Sequence, residues 1–489
     1  MPQLSVIDLA MFLLETPKRP FNIGPLVLLR PPKGARRFAD RLHQRMLAHE
    51  PGAPFNYRLR MSMTSMPRVE PMADAAVAGH VHRLTLAGDG SMDELLAKVC
   101  ELHETPLERS GLLWQFYVID GLADGRVALY GKVHHGIIDG RGFVKAVTHW
   151  FSTDPKDRKV RALWQGAPAQ ASRAVDSPAG NHEDAPPGLG ATLLGLLRKT
   201  VAVGGSTAAL YRMLAAQSRR SIGLGGEAMD LPFVGVPDVL GGVASAKRNY
   251  AFTTLPLAEL KALGKAEDAT VNDVLLAVLD GALDRYLATQ PKRPAKPLVV
   301  DMPVALAGAG GGNQIAVLQL ALGRRGASGR ERLAAIRKET GRVKAAVKSN
   351  PSETVMLYTT LVHALPLLVE RVGIKRPLLV SNLLFSNPFG FAGRQYLMGA
   401  EVELALPMSV VAAGQMLNVT VVTLGDQLQI GFLGIPGAID RIDELARHTD
   451  SAYQSLRIEL GKPAKATSAT ARTKRVSRKP GIALTKARA

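Results

Sequence analysis

Two consecutive imidazoles, a carboxylate and a glycine make Lys132-Val133-His134-His135-Gly136-Ile137-Ile138-Asp139-Gly140 the stretch best equipped for chemistry. Imidazole takes and returns a proton near neutral pH, so a histidine held here is a candidate general base. Asp139 can fold back to orient that ring, or brace the loop through a cation elsewhere. Gly140 permits a tight bend. Paired histidines also serve as metal ligands. Neighbouring strand residues point to opposite faces, however, and no Cys/His cluster lies nearby, so no metal is expected. An Asp-Gly pair alone makes only a turn; the ordered set HHxxxDG carries the functional reading.

Those side chains need a scaffold. Val127 to Val133 alternates as a strand and delivers the histidines to its end. Before it, Pro25–Leu29, Val81–Leu86 and Trp114–Ile119 read as strands and Phe38–His49 as a helix. Ser91 with Glu94 forms a capping-box pattern for a helix to about Glu104. Asp124-Gly125 turns a hairpin into the His-bearing strand, and Gly142–Phe151 resumes as a helix. This alternation predicts a mixed α/β (α+β) architecture, a sheet covered by helices.

At 489 residues the chain suggests more than one domain. The organisation expected is a first domain over 1–155, a linker with basic apolar helices over 156–245, a second domain over 246–461 and a basic disordered tail over 462–489. In the linker region, Leu193–Lys199 and Leu210–Arg220 read as short helices whose apolar and basic residues suit a lipid interface. The alternative is that they pack against the second domain. In that domain Tyr250–Leu255, Leu298–Val304, Leu378–Asn382, Glu401–Leu406, Leu417–Val422 and Leu428–Phe432 read as strands. Helices are expected over Leu257–Leu263, Arg332–Lys348, Met356–Val369 and Arg441–Leu460, and from a Thr270 cap to Tyr286. The uncharged run between Glu403 and Asp426 is long enough to raise a membrane span, but its polar residues and Gly414 favour two strands joined by a turn. Residues 308–312 make a glycine-rich turn without the lysine of a phosphate-binding loop.

The formal charge is +19, and the tail contributes nine Lys or Arg and no acid. Such a surface attracts phosphorylated ligands and anionic lipid. No helix-turn-helix signal or RNA-binding aromatic motif accompanies it, so nucleic acid is not the expected partner. A lone cysteine, Cys100, excludes an internal disulfide framework and fits a reducing compartment. No signal peptide is evident.

The motif and its surroundings resemble the bacterial wax ester synthase/diacylglycerol acyltransferase family. Beyond HHxxxDG, the resemblance rests on Leu4-Ser5-Val6-Ile7-Asp8, Phe12-Leu13-Leu14-Glu15-Thr16-Pro17, Pro54-Phe55-Asn56, and Leu107-Glu108-Arg109 with Leu113-Trp114. Val271-Asn272-Asp273-Val274 and Ser381-Asn382 extend it into the second half. Departures are Pro303-Val304-Ala305-Leu306-Ala307, which lacks the family's arginine, Leu383-Leu384 after Ser381-Asn382, and Leu112 where relatives carry proline.

The resemblance implies two chloramphenicol-acetyltransferase-like domains, each a mixed sheet flanked by helices, joined by a long crossover and enclosing the site. It implies acyl-CoA as co-substrate, with no permanently bound cofactor. His135 would act as the general base, His134 would support the loop, and Asp139 and Gly140 would hold the bend. Asn272 could reach a developing oxyanion; equally, it could cap its own helix. The acceptor would be a fatty alcohol or diacylglycerol. The protein would be cytoplasmic and peripheral to the inner membrane or lipid inclusions, on an anionic membrane or lipid-droplet surface. Two alternatives stand beside this: another hydroxylated acceptor, or a non-catalytic lipid-surface protein.

Overall fold

The computed structural model describes residues 6–60, 67–72, 75–138, 140–166, 204–306, 315–374 and 378–461. The first part of the chain forms helices α1 (Val6–Leu14), α2 (Phe38–Leu47), α3 (Met92–Glu104) and α4 (Gly140–Trp150). Interleaved with them are strands β1 (Asn22–Arg30), β2 (Tyr57–Arg60), β3 (Arg68–Pro71), β4 (Val81–Thr85), β5 (Trp114–Asp120) and β6 (Val127–His134). Helix α5 (Gly204–Ser221) leads to β7 (Asn249–Pro256), α6 (Leu257–Ala266), α7 (Val271–Ala288), β8 (Val299–Ala305) and β9 (Ile315–Ala321). The rest comprises α8 (Gly329–Ser349), α9 (Ser352–Arg371), β10 (Leu383–Phe391), β11 (Tyr396–Leu397), β12 (Ala400–Met408), β13 (Leu417–Leu424), β14 (Gln427–Gly434) and α10 (Ile442–Leu460).

Local chemistry explains the boundaries. The Ser91 hydroxyl accepts the Glu94 N–H at 3.2 Å and starts α3. The Glu94 carboxylate departs from the expected box: it accepts the N–H groups of Gly88 and Gly90, and Asp89 takes that of Ser91. Thr270 and Asp273 form a complete box at α7. That helix is buried over nearly its whole circumference and is the central helix of the second half.

Two mixed six-stranded sheets result, in the orders β11-β12-β1-β6-β5-β4 and β7-β14-β13-β10-β8-β9. Their membership crosses the boundary expected near residue 246. β12 comes from the second half but pairs antiparallel along β1, from Gly24↔Met408 to Arg30↔Glu401. The run between Glu403 and Asp426 is thus two strands, but not a hairpin: β12 joins the first sheet and β13 the second. Gln429 on β14 accepts the Ala405 N–H at 2.5 Å and donates to the Glu403 carbonyl at 3.3 Å, fastening β12 to the second sheet as well.

The strand expected at Leu378–Asn382 begins only at Leu383. The Asn382 side chain takes over the pairing there, accepting the Val299 N–H at 2.9 Å and donating to the carbonyls of Pro237 and Val239. Of the two basic apolar helices, the second is α5. The first, with the glycine-rich turn and the tail, lies outside the described residues.

Trp164 anchors the segment after α4. It is buried, stacks on Trp114 with ring centroids 5.0 Å apart, and donates to the His49 carbonyl at 2.9 Å. Trp164→Ala is expected to cost about 3–5 kcal/mol, the usual penalty for emptying a large aromatic site, read by urea denaturation.

Candidate active site

Strand β6 hands both histidines to a short 3-10 turn, His135–Ile137. The His134 N–H donates to the Leu113 carbonyl at 2.9 Å and the His135 N–H to that of Phe21 at 2.8 Å. The two rings then part. That of His134 turns inward, 1% exposed, stacked face to face on Phe12 with centroids 4.3 Å apart. Its Nδ1 accepts the Gly136 N–H at 3.0 Å, so a neutral ring carries its proton on Nε2, which faces Glu15 Oε1 at 3.5 Å. Gly136 has to be glycine, because a Cβ there would sit 2.7 Å from the Phe12 ring.

Glu15 is the buried counterpart of this histidine. Its carboxylate accepts the Phe21 N–H at 2.9 Å and an Arg109 N–H at 3.0 Å. Burial pushes its pKa up, but His134, the Phe21 N–H and Arg109 together hold it below the usual carboxylate range. Further back on β6, Lys132 is buried, which pushes it down to about 8, and its ammonium caps α3 by donating to the carbonyls of Leu102 and Thr105. His103, pushed down to about 3 by burial, joins Tyr130 at 2.7 Å to the Ser409 carbonyl at 3.1 Å. The approach to the motif is therefore rigid on both sides.

His135 lines a cavity of ≈ 340 Å³ between the two halves. The walls come from α1, β1 and α4 on one side, and from β8, β9, α9, β10 and β13 on the other, with β12 and the segment after it closing the floor. Most of the lining is apolar, including Val27, Phe143, Val147, Leu384, Phe391 and Val422. On this wall Gly24 lets β1 approach β6: a Cβ there would collide with the Gly131 carbonyl oxygen at 1.6 Å. Asp139 lies outside the described residues, and Gly140 opens α4.

Asn272 does not join this wall. It is exposed on the first turn of α7, where its Oδ1 accepts from Asn387 Nδ2 at 2.8 Å. Asn387 sits between the lining residues Ser386 and Pro388. The position follows from the helix itself, whose apolar residues from Val274 onward are buried and leave Asn272 to solvent. Nor does Asn272 cap the helix, a task taken by Thr270 and Asp273.

A second imidazole faces the same cavity. His363 on α9 has 23% of its side chain exposed and holds Nε2 3.3 Å from Asp301 Oδ2. Its Nδ1 lies 2.9 Å from the Thr359 carbonyl. Asp301, on β8, also accepts from Gln319 and Gln415, each at 2.8 Å. Burial disfavours both charges, but their mutual attraction prevails: His363 is raised and Asp301 lowered from their ordinary values.

Sequence reasoning passed over Glu15, Arg109, His363 and Asp301 as chemistry. Phe12 and Glu15 lie three residues apart on one helical face, and Asp301 is an acid inside an apolar strand. Each is a visible signal, but nothing in the sequence joins it to a histidine that lies on a different element far along the chain.

The site is thus a histidine presented to an apolar cavity between two mixed sheets. Residues 4–275 match the model of the wax ester synthase/diacylglycerol acyltransferase catalytic domain, and residues 311–457 that of the corresponding C-terminal domain. A Mycobacterium tuberculosis protein named as a probable diacylglycerol O-acyltransferase is 30% identical over 96% of this chain and 99% of its own. Among solved structures, the wax ester synthase/diacylglycerol acyltransferase from Marinobacter aquaeolei aligns with a TM-score of 0.71 at 23% identity, covering 94% of this chain and 100% of that one. The first condensation domain of the calcium-dependent antibiotic synthetase aligns at 0.54 and 17% identity, covering 94% and 96%. The chain belongs to the wax ester synthase/diacylglycerol acyltransferase family and is an acyltransferase. Its fold is the expected mixed α/β pair of chloramphenicol-acetyltransferase-like units.

The depressed Glu15 carboxyl makes a pH prediction. A folded-state pKa below the unfolded value contributes stability above the unfolded pKa and loses it as pH falls through the folded one. Glu15→Gln should therefore weaken the fall in stability on acidification below about pH 4.5. At neutral pH it should cost about 1–3 kcal/mol, through donors left poorly matched in a buried site. Urea titrations of both proteins at several pH values measure this.

Proposed function

We propose that this protein is a long-chain acyl-CoA:alcohol O-acyltransferase that forms wax esters, triacylglycerol or both, with His135 as the general base. The observation that carries the reading is the division between the two histidines. His134 is committed to Phe12, Gly136 and Glu15, whereas His135 faces the cavity. The apolar walls suit an acyl chain or a long alcohol, since each methylene buried there contributes about 0.8 kcal/mol. His135 takes the hydroxyl proton as the alcohol oxygen bonds to the thioester carbonyl carbon. Collapse of that adduct breaks the C–S bond, and the proton passes from the imidazolium to the departing thiolate. His134, through its stacking and its contact with Glu15, positions the turn that presents His135.

Lipid-surface contact, the other expectation, has support in exposed apolar side chains on two adjoining helices and in the turns that follow them. These are Tyr211, Ile222 and Leu224 at α5, with Leu365, Val372 and Ile374 at α9. Helix α9 is also the one described helix long and apolar enough to cross a membrane by length and composition, yet it builds the cavity wall.

Thiol release from palmitoyl-CoA, with hexadecanol and diacylglycerol as separate acceptors, tests the reading. His135→Ala should lower acceptor-dependent release by about 100- to 10,000-fold with the fold retained by circular dichroism. Undiminished release by the variant, or no release by the parent with either alcohol, would overturn it.

A further inference from the structure

The far wall of the cavity is built for more than an alkyl chain. An ion pair buried among apolar residues loses the solvation of both charges, a cost offset only when good geometry and additional hydrogen bonds satisfy both partners. That condition is met for the carboxylate. Asp301, 1% exposed, receives His363, Gln319 and Gln415. The two amides are fixed in turn, Gln319 Oε1 by the Tyr358 hydroxyl at 3.1 Å and Gln415 Nε2 against Ser381 Oγ at 2.5 Å. The network draws on β8, β9, α9 and the segments before β10 and β13, elements that share no local reason to converge. A core needing only stability would place apolar residues here, because replacing both members of a buried pair by well-packed apolar groups is often neutral or stabilising.

Only one member of this network opens substantially onto the cavity, and it is the cation. Asp301 is closed off by its donors, whereas His363 keeps nearly a quarter of its side chain exposed. Its Nδ1–H is spent on the Thr359 carbonyl at 2.9 Å. Its Nε2–H spans a long 3.3 Å to Asp301, with the Gln319 amide nitrogen 3.4 Å from the same ring nitrogen, a loose geometry in which that proton can be shared with an oxygen arriving from the cavity. Such a donor recognises an acceptor oxygen, as in an ester carbonyl or a hydroxyl. A plain alkyl chain laid against it would desolvate a charge and offer nothing in return.

We propose that His363, held by Asp301, selects the alcohol substrate: it binds an ester oxygen of the acceptor, apart from the hydroxyl that reacts at His135, so that the cavity favours acylglycerol-type acceptors over unfunctionalised long-chain alkanols. The inference rests on the acyl-transfer reading above and names its acceptor class. His363 acts here on binding, and the proton transfer stays with His135. Sites that hydrogen-bond a substrate oxygen reject the analogue lacking it far more strongly than apolar pockets discriminate by size.

The test is the ratio of kcat/KM for 1,2-dipalmitoylglycerol over hexadecanol, in mixed micelles with palmitoyl-CoA, for the full chain. The ratio should fall at least tenfold in His363→Leu, chiefly through KM for the glyceride, and recover in part in His363→Gln, which keeps a donor. Because His363→Leu leaves Asp301 a buried, unpaired charge, the double variant His363→Leu/Asp301→Asn removes both charges and should show the same fall. A ratio within twofold of the parent's in either folded variant would overturn the inference while leaving acyl transfer intact. A parent inactive with both alcohols would instead sink the acyl-transfer reading, and the inference with it.

Discussion

The structure depends on the pairing of β12 with β1. A strand from the second half of the chain, lying with β11 between β10 and β13 of the second sheet in sequence, joins the first sheet instead, with a nearly continuous antiparallel register from Gly24 to Arg30. Backbone hydrogen bonding makes that crossing obligatory, since β1 flanked only by β6 would leave a row of buried donors and acceptors unpaired. Once β12 is in place, Ala405 to Met408 form part of the cavity wall, and the segment after them runs back to the second sheet. The cavity is thus the seam between the two sheets, with β12 paired in the first and fastened to the second by the Gln429 side chain. Arg19 reinforces the seam, its guanidinium pairing with Glu370 on α9 and donating to the carbonyls of Val411 and Ala412.

Along the first side of the seam, the two histidines show how adjacent residues of one type acquire different tasks. The change from strand to 3-10 turn falls between them, so the first ring follows the strand's packing and the second follows the turn. Phe12 stacking, the Gly136 N–H and the Glu15 carboxylate account for His134 completely. The support is arranged in layers: Arg109 and the Phe21 N–H hold Glu15, Glu15 faces His134, and His134 braces the turn that carries His135.

The second side carries the opposite character at one point. Along α9, Thr359, Thr360, His363, Ala364 and Leu367 face the cavity at helical spacing, and a histidine in that row would be costly without a partner. Asp301 reaches it from β8, and the amides of Gln319 and Gln415 close the remaining valences.

Much of this was legible in the sequence. Alternation over Val127–Val133, the Thr270 cap, the Ser91 cap and most strand positions follow from local periodicity and local hydrogen bonding, which act over a few residues. HHxxxDG and its companion segments identified the family because their order along the chain is itself sequence information. Tertiary structure alone decided three things. It sent β12 and β13 to different sheets, which strand patterning cannot specify, because alternation names a buried face and not a partner. It left Asn272 in solvent, because α7 spends its apolar surface on the core. And it brought Glu15 to His134 and Asp301 to His363, pairings that depend on burial, since a charge buys its partner only where water has been excluded.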